Sequence, residues 1–266
     1  MPSLRIALHQ APAGVPRSVE DSLAALDETA RTAAARGAGL LVTPELSLTG
    51  YALGEDVAER AEPADGPSAR ALSRIAAAHG IAVVYGYPER DPGSGQLYNS
   101  AALVAADGAP LAGYRKTHLY GGWESRHFTP GERLVVQAEL AGVRAGLLVC
   151  YDVEFPEAVR AHALAGTELL IVPTALMRPY DIVAQTLLPA RAWESQLYVA
   201  YANRAGCEGE FDFAGLSALA APDGSVPVRA GRHEALLIAD VDTGLLRASR
   251  ERNGYLTDRR PELYTV

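Results

Sequence analysis

Short apolar runs alternate along the chain with longer segments in which apolar residues recur at every third or fourth position. The short runs are bounded by turn residues and predict strands covered on both faces, whereas the longer spacing predicts amphipathic helices. Strands are predicted over residues 4–8, 40–42, 81–87, 99–105, 111–115, 143–149, 169–172, 197–202, 216–221 and 235–241. Helices are predicted over residues 18–36, 67–79, 156–165 and 181–196.

Turn residues join these elements into pairs. Asp107-Gly108 predicts a hairpin between the fourth and fifth predicted strands, and Pro222-Asp223-Gly224 predicts a second hairpin-like pair from the last two. Residues 120–131 are predicted to form a loop, and the polar, Arg-rich tail from Thr243 is predicted to pack on a partner or a neighbouring sheet edge. Strands and helices alternate with strand pairs between them, which predicts an α/β sandwich. No break in composition marks a boundary, so residues 1–266 are expected to form a single domain.

Composition and charge exclude several classes of protein. The chain has 266 residues, of which 48% are hydrophobic, and this is enough for a substantial core. Its net charge of −8 and its lack of a basic cluster argue against a nucleic-acid partner. The start of the chain lacks the features of a signal peptide, and no apolar run is long enough to cross a membrane. The two cysteines, Cys150 and Cys207, form no disulfide framework, so a cytoplasmic location is expected.

Three predicted strands lead into groups that can carry out acyl transfer. Glu45, Lys116 and Cys150 each follow an apolar run, so all three can lie along one edge of the sheets. Cys150 also precedes a helix that begins near Pro156, where backbone N–H groups and the helix dipole can lower the pKa of a thiol. The carboxylate can take the thiol proton, and the ammonium can stabilise an oxyanion. A buried structural cysteine is the alternative interpretation of the local context alone.

Other catalytic and ligand-binding patterns are missing from the sequence. The six histidines show no metal-ligand spacing, and His118 is better explained as a support for the turn after Lys116. There is no G-x-S-x-G elbow and no Gly-rich nucleotide loop. Cys207 lies in a Gly- and Glu-rich segment without a partner motif. The acyl-transfer set requires neither a metal nor an organic cofactor, and none is expected.

Three separated blocks resemble the signature blocks of the nitrilase, or carbon–nitrogen hydrolase, superfamily. They occur in the order found in that family, and the match extends over nearly the whole chain. Some of the surrounding sequence is similar to the 5-aminopentanamidase group of aliphatic amidases, over residues 81–90, 113–119, 150–157 and 255–258. The three blocks are Pro44-Glu45 with Gly50-Tyr51, residues 114–119, and Cys150-Tyr151-Asp152 through Phe155-Pro156-Glu157.

The resemblance implies a fold, an assembly and a catalytic set. The implied fold is a four-layer α-β-β-α sandwich, and the implied assembly is a homodimer or a higher even oligomer formed through the helical faces. The implied triad consists of Glu45, Lys116 and Cys150. The family also carries a second glutamate after the lysine, and Glu124, eight residues beyond Lys116, is the best match. A solvated loop residue is the alternative for Glu124.

The expected function is hydrolysis of a small aliphatic primary amide to the carboxylic acid and ammonia through a thioester on Cys150. Glu45 would act as the general base, and Lys116, with a backbone N–H of Tyr151 or a neighbour, would stabilise the oxyanion. A nitrilase and an N-carbamoyl amine hydrolase would use the same triad and remain alternatives. A catalytically silent binding scaffold is the non-enzyme alternative, and the intact triad argues against it.

The segment after Cys150 predicts the charge of the substrate. Many relatives that act on carboxylate-bearing substrates carry an arginine four residues after the cysteine or nearby. This chain has Glu154 there, which would attract a cation and repel a carboxylate. The alternative is that Glu154 caps the following helix or pairs with Arg160. The substrates expected from this charge are 5-aminopentanamide first and 4-guanidinobutanamide second. Further acidic residues, Asp181, Glu210 and Asp212, are expected at the same rim, and the predicted substrate-binding residues are Tyr51, Tyr151, Glu154 and Thr174.

Overall fold

The computed structural model describes residues 3–264, which form two β-sheets and the helices that cover them. The strands are β1 (Ser3–Pro12), β2 (Leu40–Val42), β3 (Ala82–Arg90), β4 (Leu97–Val104), β5 (Pro110–Arg115), β6 (Gln137–Leu140), β7 (Val143–Leu147), β8 (Leu169–Pro173), β9 (Tyr198–Ala202), β10 (Arg204–Glu208), β11 (Phe211–Ala214), β12 (Ala218–Ala220), β13 (Val228–Arg229) and β14 (Ala235–Asp242). The α-helices are α1 (Val19–Ala35), α2 (Val57–Arg60), α3 (Pro67–His79), α4 (Gly121–His127), α5 (Pro156–Leu164), α6 (Leu188–Ser195) and α7 (Thr243–Arg252).

Among these described residues, one sheet has eight strands and the other has six. The larger sheet follows the order β11-β10-β1-β2-β3-β4-β5, with β14 also paired to β1, and the smaller follows β13-β12-β9-β8-β7-β6. Strands β1, β2 and β3 run parallel, as do β7, β8 and β9. Their carboxyl ends are where loops can gather reactive side chains, because ligands bind at that edge of α/β sheets.

The layers follow from the alternation of side chains along the strands. In β1, Ile6 and Leu8 join the core that also contains the smaller sheet, whereas Ala7 joins the cluster beneath α1 and α3. Residues of α5 and α6, such as Val159 and Ala192, pack with the smaller sheet. Since successive side chains of a strand point to opposite faces, each sheet is covered on both sides. The α-β-β-α sandwich predicted from the sequence is confirmed.

The second predicted hairpin is wrong. Strand β12 pairs with β9 in the smaller sheet, whereas β14 pairs with β1 in the larger one, from Ser3 opposite Asp242 to Gln10 opposite Ala235. The long antiparallel ladder with β1 satisfies the backbone of β14, and the chain after Pro222-Asp223-Gly224 crosses from one sheet to the other through β13, which pairs with β12. Turn residues therefore marked a reversal of the chain but did not determine which strands are neighbours.

Three other segments differ from the sequence prediction. Residues 120–131, predicted as a loop, contain helix α4. Strands β10 and β11 form an antiparallel pair where no strand was predicted. The Arg-rich tail, for which no helix was predicted, forms α7. It lies against the amino ends of β8 and β9 in the smaller sheet: Leu246 is buried, and Arg250 donates hydrogen bonds to the carbonyls of Gln196 and Thr167.

Two sequence expectations concern the boundaries of the chain and the membrane. The first two and last two residues of the expected domain, 1–2 and 265–266, lie outside the described residues. Over residues 3–264, no helix combines the length and the apolar character needed to cross a bilayer.

Candidate active site

A buried ammonium between two carboxylates forms the centre of the candidate site. Lys116 Nζ lies 2.7 Å from Glu45 Oε1 and 2.7 Å from Glu124 Oε1, and none of the three side chains is exposed. Burial by itself would lower the pKa of Lys116, but the charges of Glu124 and Glu45 outweigh it and hold the pKa well above its usual value. Lys116 is therefore a fixed cation, and it is also the only lysine in the chain.

Glu45 follows strand β2 in a strained turn. The next residue, Leu46, has φ of +48°, which is uncommon for a residue with a side chain. The buried guanidinium of Arg204 stabilises the turn by donating to the carbonyls of Glu45 (3.1 Å) and Leu46 (2.6 Å). Strand β3 supplies Gly86 beneath it, where a Cβ atom would lie 2.5 Å from the Leu46 nitrogen. Any larger residue at that position would displace the glutamate.

Glu124 is held by hydrogen bonds to both of its carboxylate oxygens. Oε1 accepts from the Tyr51 hydroxyl at 2.8 Å, from Lys116 Nζ, and from Asn99 Nδ2 at 3.5 Å. Oε2 accepts from the backbone N–H of Tyr120 at 2.7 Å, which satisfies a donor that the start of helix α4 leaves free. Glu124 is thus buried, and the alternative of a solvated loop residue is excluded by this geometry.

Cys150 lies on a sharp turn between β7 and α5. It has φ of +48°, and the single-turn 3₁₀ helix Cys150–Glu154 begins at this residue and leads into α5. The backbone N–H of Ala175, which follows β8, favours the thiolate form of Cys150. The preceding residue, Thr174, accepts a hydrogen bond from the Glu45 N–H at 3.3 Å. The end of β8 therefore joins the segments that carry the thiol and the carboxylate.

The electrostatics of the thiol differ from the sequence expectation. Burial raises the pKa of the Cys150 thiol well above its usual value, and the negative charge of Glu45 adds to this effect, although Lys116 and the Ala175 N–H oppose it. Burial also raises the pKa of Glu45 to about 7, because it outweighs the attraction of Lys116. The resting thiol is protonated, and the group beside it is a carboxylate with the pKa of a neutral-pH base.

One oxygen of Glu45 is free to accept that proton. Oε1 is occupied by Lys116 at 2.7 Å and by Asn99 Nδ2 at 2.6 Å. Oε2 is buried and has no hydrogen-bond partner. An unpartnered buried acceptor costs free energy, so its presence beside a protonated thiol is consistent with a functional use.

The four predicted substrate-binding residues fall into two pairs. Tyr51 and Thr174 are buried, and their hydroxyls donate to Glu124 and to the Val172 carbonyl respectively. Tyr151 and Glu154 are partly exposed, and Tyr151 packs edge-on against Tyr120 at 5.3 Å between ring centroids. The first pair supports the site, whereas the second pair is accessible to a ligand.

Glu154 belongs to the electrostatic environment of the triad. Burial raises the pKa of this half-buried carboxyl, and the cations that oppose the shift are Lys116 first and Arg191 second. Its side chain does not cap α5, for which no side-chain cap is present. Within residues 3–264, Arg160 does not partner Glu154: its Nη1 atom is buried without a hydrogen-bond partner, and the carboxylate whose charge acts on it is Glu194. Neither alternative predicted for Glu154 is therefore seen.

The other acidic residues expected at the rim differ from one another. Asp181 pairs with Arg232 at 3.0 Å, and Asp212, which lies on β11, pairs with Arg178. Their charges are largely neutralised by these partners. Glu210 is exposed in the turn between β10 and β11. Of the predicted acidic side chains, Glu154 remains the one that acts electrostatically with Lys116.

Several residues of the site were not predicted from the sequence. Asn99 on β4 bonds to both carboxylates, and Arg204 on β10 positions the Glu45 turn. Glu208 on the same strand accepts from the backbone N–H groups of Tyr51 and Ala52 at 2.5 and 2.6 Å. Asp152 accepts hydrogen bonds from both the Lys116 and the Cys150 segments. Only Asp152 carried a sequence signal, because it lies within the third signature block.

Metal ligation is not indicated by the arrangement. In the part of the chain that the structure describes, no three or more His, Cys, Asp or Glu side chains are grouped so that they could hold a metal ion. The site instead offers a thiol, an ammonium and two carboxylates, which together suit addition to and elimination from an acyl carbon.

Sequence and structure comparisons agree with this chemistry. An (R)-stereoselective amidase from Pseudomonas sp. is 41% identical over 83% of this chain and 79% of its own. An N-carbamoylputrescine amidase from Arabidopsis thaliana is 30% identical over 93% of this chain and 90% of its own. A double mutant of the amidase from Nesterenkonia sp. AN1, solved in complex with acrylamide, superimposes with a TM-score of 0.88 at 38% identity, covering 98% of this chain and 95% of that one.

An α-β-β-α sandwich with these groups at one sheet edge defines a class of hydrolases that cleave carbon–nitrogen bonds. The model of the carbon-nitrogen hydrolase family matches residues 5–251. The chain belongs to that family, within the nitrilase superfamily, and it is an enzyme of the amidase type.

Proposed function

We propose that the protein hydrolyses a small aliphatic primary amide carrying a cationic group at its far end, and that Glu45, Lys116, Cys150 and Glu124 form its catalytic set. The observation that carries the proposal is the fully buried Lys116 ammonium, held at 2.7 Å from each carboxylate, beside a thiol on a strained turn. Buried charges are costly unless they are paired. We therefore interpret this buried set of charged groups as catalytic.

The reaction begins with transfer of the Cys150 proton to Glu45 Oε2 as the sulfur forms a bond to the amide carbon. The carbonyl electron pair moves to oxygen, and Lys116 stabilises the oxyanion. The intermediate then collapses with cleavage of the carbon–nitrogen bond, and Glu45 returns the proton to the leaving ammonia. Glu45 next takes a proton from water as the water oxygen bonds to the thioester carbon. The carbon–sulfur bond then breaks, and Glu45 gives its proton to the departing sulfur, which releases the carboxylic acid and restores the free thiol. Glu124 holds Lys116 in place throughout.

The direction of the pKa shifts fits these roles. A thiol with a raised pKa cannot act as a preformed thiolate at neutral pH, so its proton must leave during the attack. A base is most useful when its pKa lies near the working pH, and burial places Glu45 in that range. The carboxylate and the thiol therefore act as a pair.

The pH dependence of kcat/KM should reveal the ionisation of the general base, Glu45. Glu45 must be ionised to accept the proton, so activity is expected to rise as the pH increases through about 7, the raised pKa of Glu45. The value belongs to the coupled group of Glu45, Lys116 and Glu124 and not to one residue alone. Steady-state rates with a neutral amide, measured from pH 5 to 9, test this. An acid limb centred near the ordinary carboxyl pKa would contradict the assignment.

The direct test of the reaction is ammonia release across matched primary amides, nitriles and ureas. Turnover of amides above the other two classes is expected. N-carbamoylputrescine belongs in the panel because the plant relative is named for it. If ammonia is released faster from that urea or from a nitrile than from the amides, the protein is instead an N-carbamoyl amine hydrolase or a nitrilase, with the same proposed triad.

The charge of the preferred substrate is inferred from Glu154 and the tyrosines near it. The Tyr120 ring packs edge-on against Tyr151 and Tyr180, with ring centroids 5.3 and 6.3 Å apart. Interaction with the Tyr180 hydroxyl raises the pKa of Tyr120 to about 12, and the charge of Glu154 adds to this shift. A half-buried carboxylate beside tyrosine rings attracts cations, since ring faces carry partial negative charge. The opposing Arg191 is occupied, because it donates to the Val153 and Glu154 carbonyls and to Glu194.

Substitution of Glu154 by glutamine should reduce the preference for a cation. For 5-aminopentanamide, kcat/KM is expected to fall by roughly tenfold, which is the effect of one partly screened charge pair. For pentanamide, kcat/KM should change little. The matched control is Glu157→Gln, which removes an exposed carboxylate from the same segment and should leave the ratio unchanged. Equal turnover of pentanamide, glutaramate and 5-aminopentanamide by the wild type would refute charge selection but not the amidase function.

Three further expectations remain part of the proposal. The cation could be the ammonium of 5-aminopentanamide or the guanidinium of 4-guanidinobutanamide, and the same panel ranks them. A homodimer or a higher even oligomer is the proposed assembly, on the basis of the family resemblance. A single domain and a cytoplasmic location are proposed with it, the latter because Cys150 and Cys207 are both free thiols.

A further inference from the structure

One buried carboxylate connects the two segments that carry Lys116 and Cys150. Asp152 is fully buried, accepts four hydrogen bonds and contacts a fifth polar group. Its Oδ1 accepts from the hydroxyl of Thr117 and from the backbone N–H of His118, both at 2.8 Å, and contacts His118 Nδ1 at 2.8 Å. Its Oδ2 accepts from the Tyr114 hydroxyl at 2.9 Å and from the Val149 N–H at 3.1 Å.

These donors lie on different sheets. Tyr114, Thr117 and His118 flank Lys116 at the end of β5, which belongs to the larger sheet. Val149 precedes Cys150 at the end of β7, which belongs to the smaller sheet. Lys116 Nζ bonds to Glu45 and Glu124, and neither of these residues lies on the Cys150 turn. Asp152 is therefore a direct polar link between the strand that ends at the ammonium and the turn that carries the thiol.

We infer that Asp152 is a positioning residue, which fixes the distance and direction from Lys116 Nζ to Cys150 Sγ and so aligns the oxyanion with the ammonium. The inference rests on the roles proposed above for Lys116 and Cys150. A charged acceptor is suited to this task, because hydrogen bonds to an ionised group are shorter and stronger than those between neutral groups. The stacking of His118 on Phe155, with ring centroids 4.0 Å apart, adds a second contact between the same segments.

The variant Asp152→Asn is expected to disturb mainly the peptide next to Cys150. An amide has one acceptor oxygen, and if that oxygen keeps the three contacts of Oδ1, the NH₂ group faces the Val149 N–H. Two donors then oppose each other at the peptide next to Cys150. Because a misplacement of about 1 Å can cost a hundredfold in rate, kcat is expected to fall by about a hundredfold while KM changes less than about threefold.

A milder variant keeps the test informative if Asp152→Asn does not fold. Tyr114→Phe removes one donor to Oδ2 and keeps the ring and all charges, so several-fold loss of kcat is expected. It also allows a readout that does not depend on turnover: the pH profile of Cys150 alkylation by iodoacetamide in a Cys207→Ala background. Lys116 lowers the pKa of the thiol, so looser positioning should move the apparent pKa of alkylation upward.

The control for a purely structural effect is Ser249→Ala. Ser249 is also buried and hydrogen-bonded, to Gln196 Oε1 and the Pro222 carbonyl at 2.9 Å each, but it belongs to α7. It should lower the unfolding midpoint without changing kcat or the alkylation profile. If Tyr114→Phe behaves like Ser249→Ala, the positioning role is overturned. If the wild type turns over no amide, the proposed function fails, and the alkylation profile still decides the positioning.

Discussion

Replacement of Cys150 by alanine is expected to lower kcat on an aliphatic amide by a factor on the order of 10⁵–10⁶, which is the loss seen when a nucleophile that acts as part of a unit is removed. In the proposed mechanism the thiol forms the covalent bond to the acyl carbon, and no other group of the proposed catalytic set can replace it. The side chain is only partly exposed and small, so the far-ultraviolet spectrum and the unfolding midpoint should change little. Initial rates of ammonia release measure the first effect.

The second cysteine provides the matched control. Cys207 is exposed on β10, and its sulfur lies 3.8 Å from Asp212 Oδ1, away from the triad. Cys207→Ala should keep wild-type rates. Intact-mass measurement with a slowly hydrolysed amide should show an acyl adduct on the wild type and on Cys207→Ala, but none on Cys150→Ala. Residual turnover by Cys150→Ala near the wild-type rate would disprove the assignment of the nucleophile.

Replacement of Lys116 by methionine is expected to affect both activity and stability. Loss of one oxyanion donor typically costs 10²–10³ in kcat. Here the change also leaves the two buried carboxylates without their shared cation, so a loss on the order of 10³–10⁴ is expected. Removal of one partner from a buried ion pair costs roughly 3–5 kcal/mol of unfolding free energy. Kinetics and urea denaturation at fixed pH measure the two effects separately.

The loss of stability should depend on pH with a definite sign. The pKa of Glu45 is higher in the folded protein than in the unfolded chain, so its contribution is fully present at low pH and is lost as the pH rises through about 7. Without Lys116 the pKa of Glu45 should rise further, and the variant should be least stable at alkaline pH. Arg31→Met, which removes an exposed pair with Glu28, is the control and should leave the unfolding midpoint unchanged at every pH. Equal destabilisation at pH 5 and pH 9 would contradict the buried-pair model.

The sequence was sufficient for the layers and for naming Glu45, Lys116 and Cys150, the residues proposed here as catalytic. Apolar runs such as 40–42 and 169–172 correctly predicted strands because a strand buried on both faces needs an unbroken apolar segment. The reactive groups could be located because each follows such a run, and the ends of neighbouring strands meet at one edge. Glu124 was identified from the resemblance of the sequence to the family. The helix that contains it was not predicted, because the Gly121-Gly122 pair is typical of a loop. Gly121 has φ of +68°, so it forms the bend before the helix and does not prevent it.

Strand partners and charge states depended on contacts between residues far apart in sequence. The residue pattern of β14 is compatible with pairing to β12 or to β1, and only the packing of both sheets determines that it pairs with β1. Strand β10 was missed because it carries two buried ions, Arg204 and Glu208, where a strand of the core is expected to be apolar. Those ions are stable there because they bond to the turns that carry Glu45 and Tyr51.

The same principle applies to the chemistry of the site. The sequence placed Cys150 before a helix, and that local context favours a lowered thiol pKa. The folded chain raises it instead, because burial removes the water that would solvate a thiolate. The residue types and their order along the chain indicated which groups to propose as reactive. Only the tertiary structure decided how deeply these groups are buried and that Asn99 and Asp152 are their partners. It thereby also decided which group carries the proton at rest, since solvation and hydrogen bonding depend on every element packed around the site.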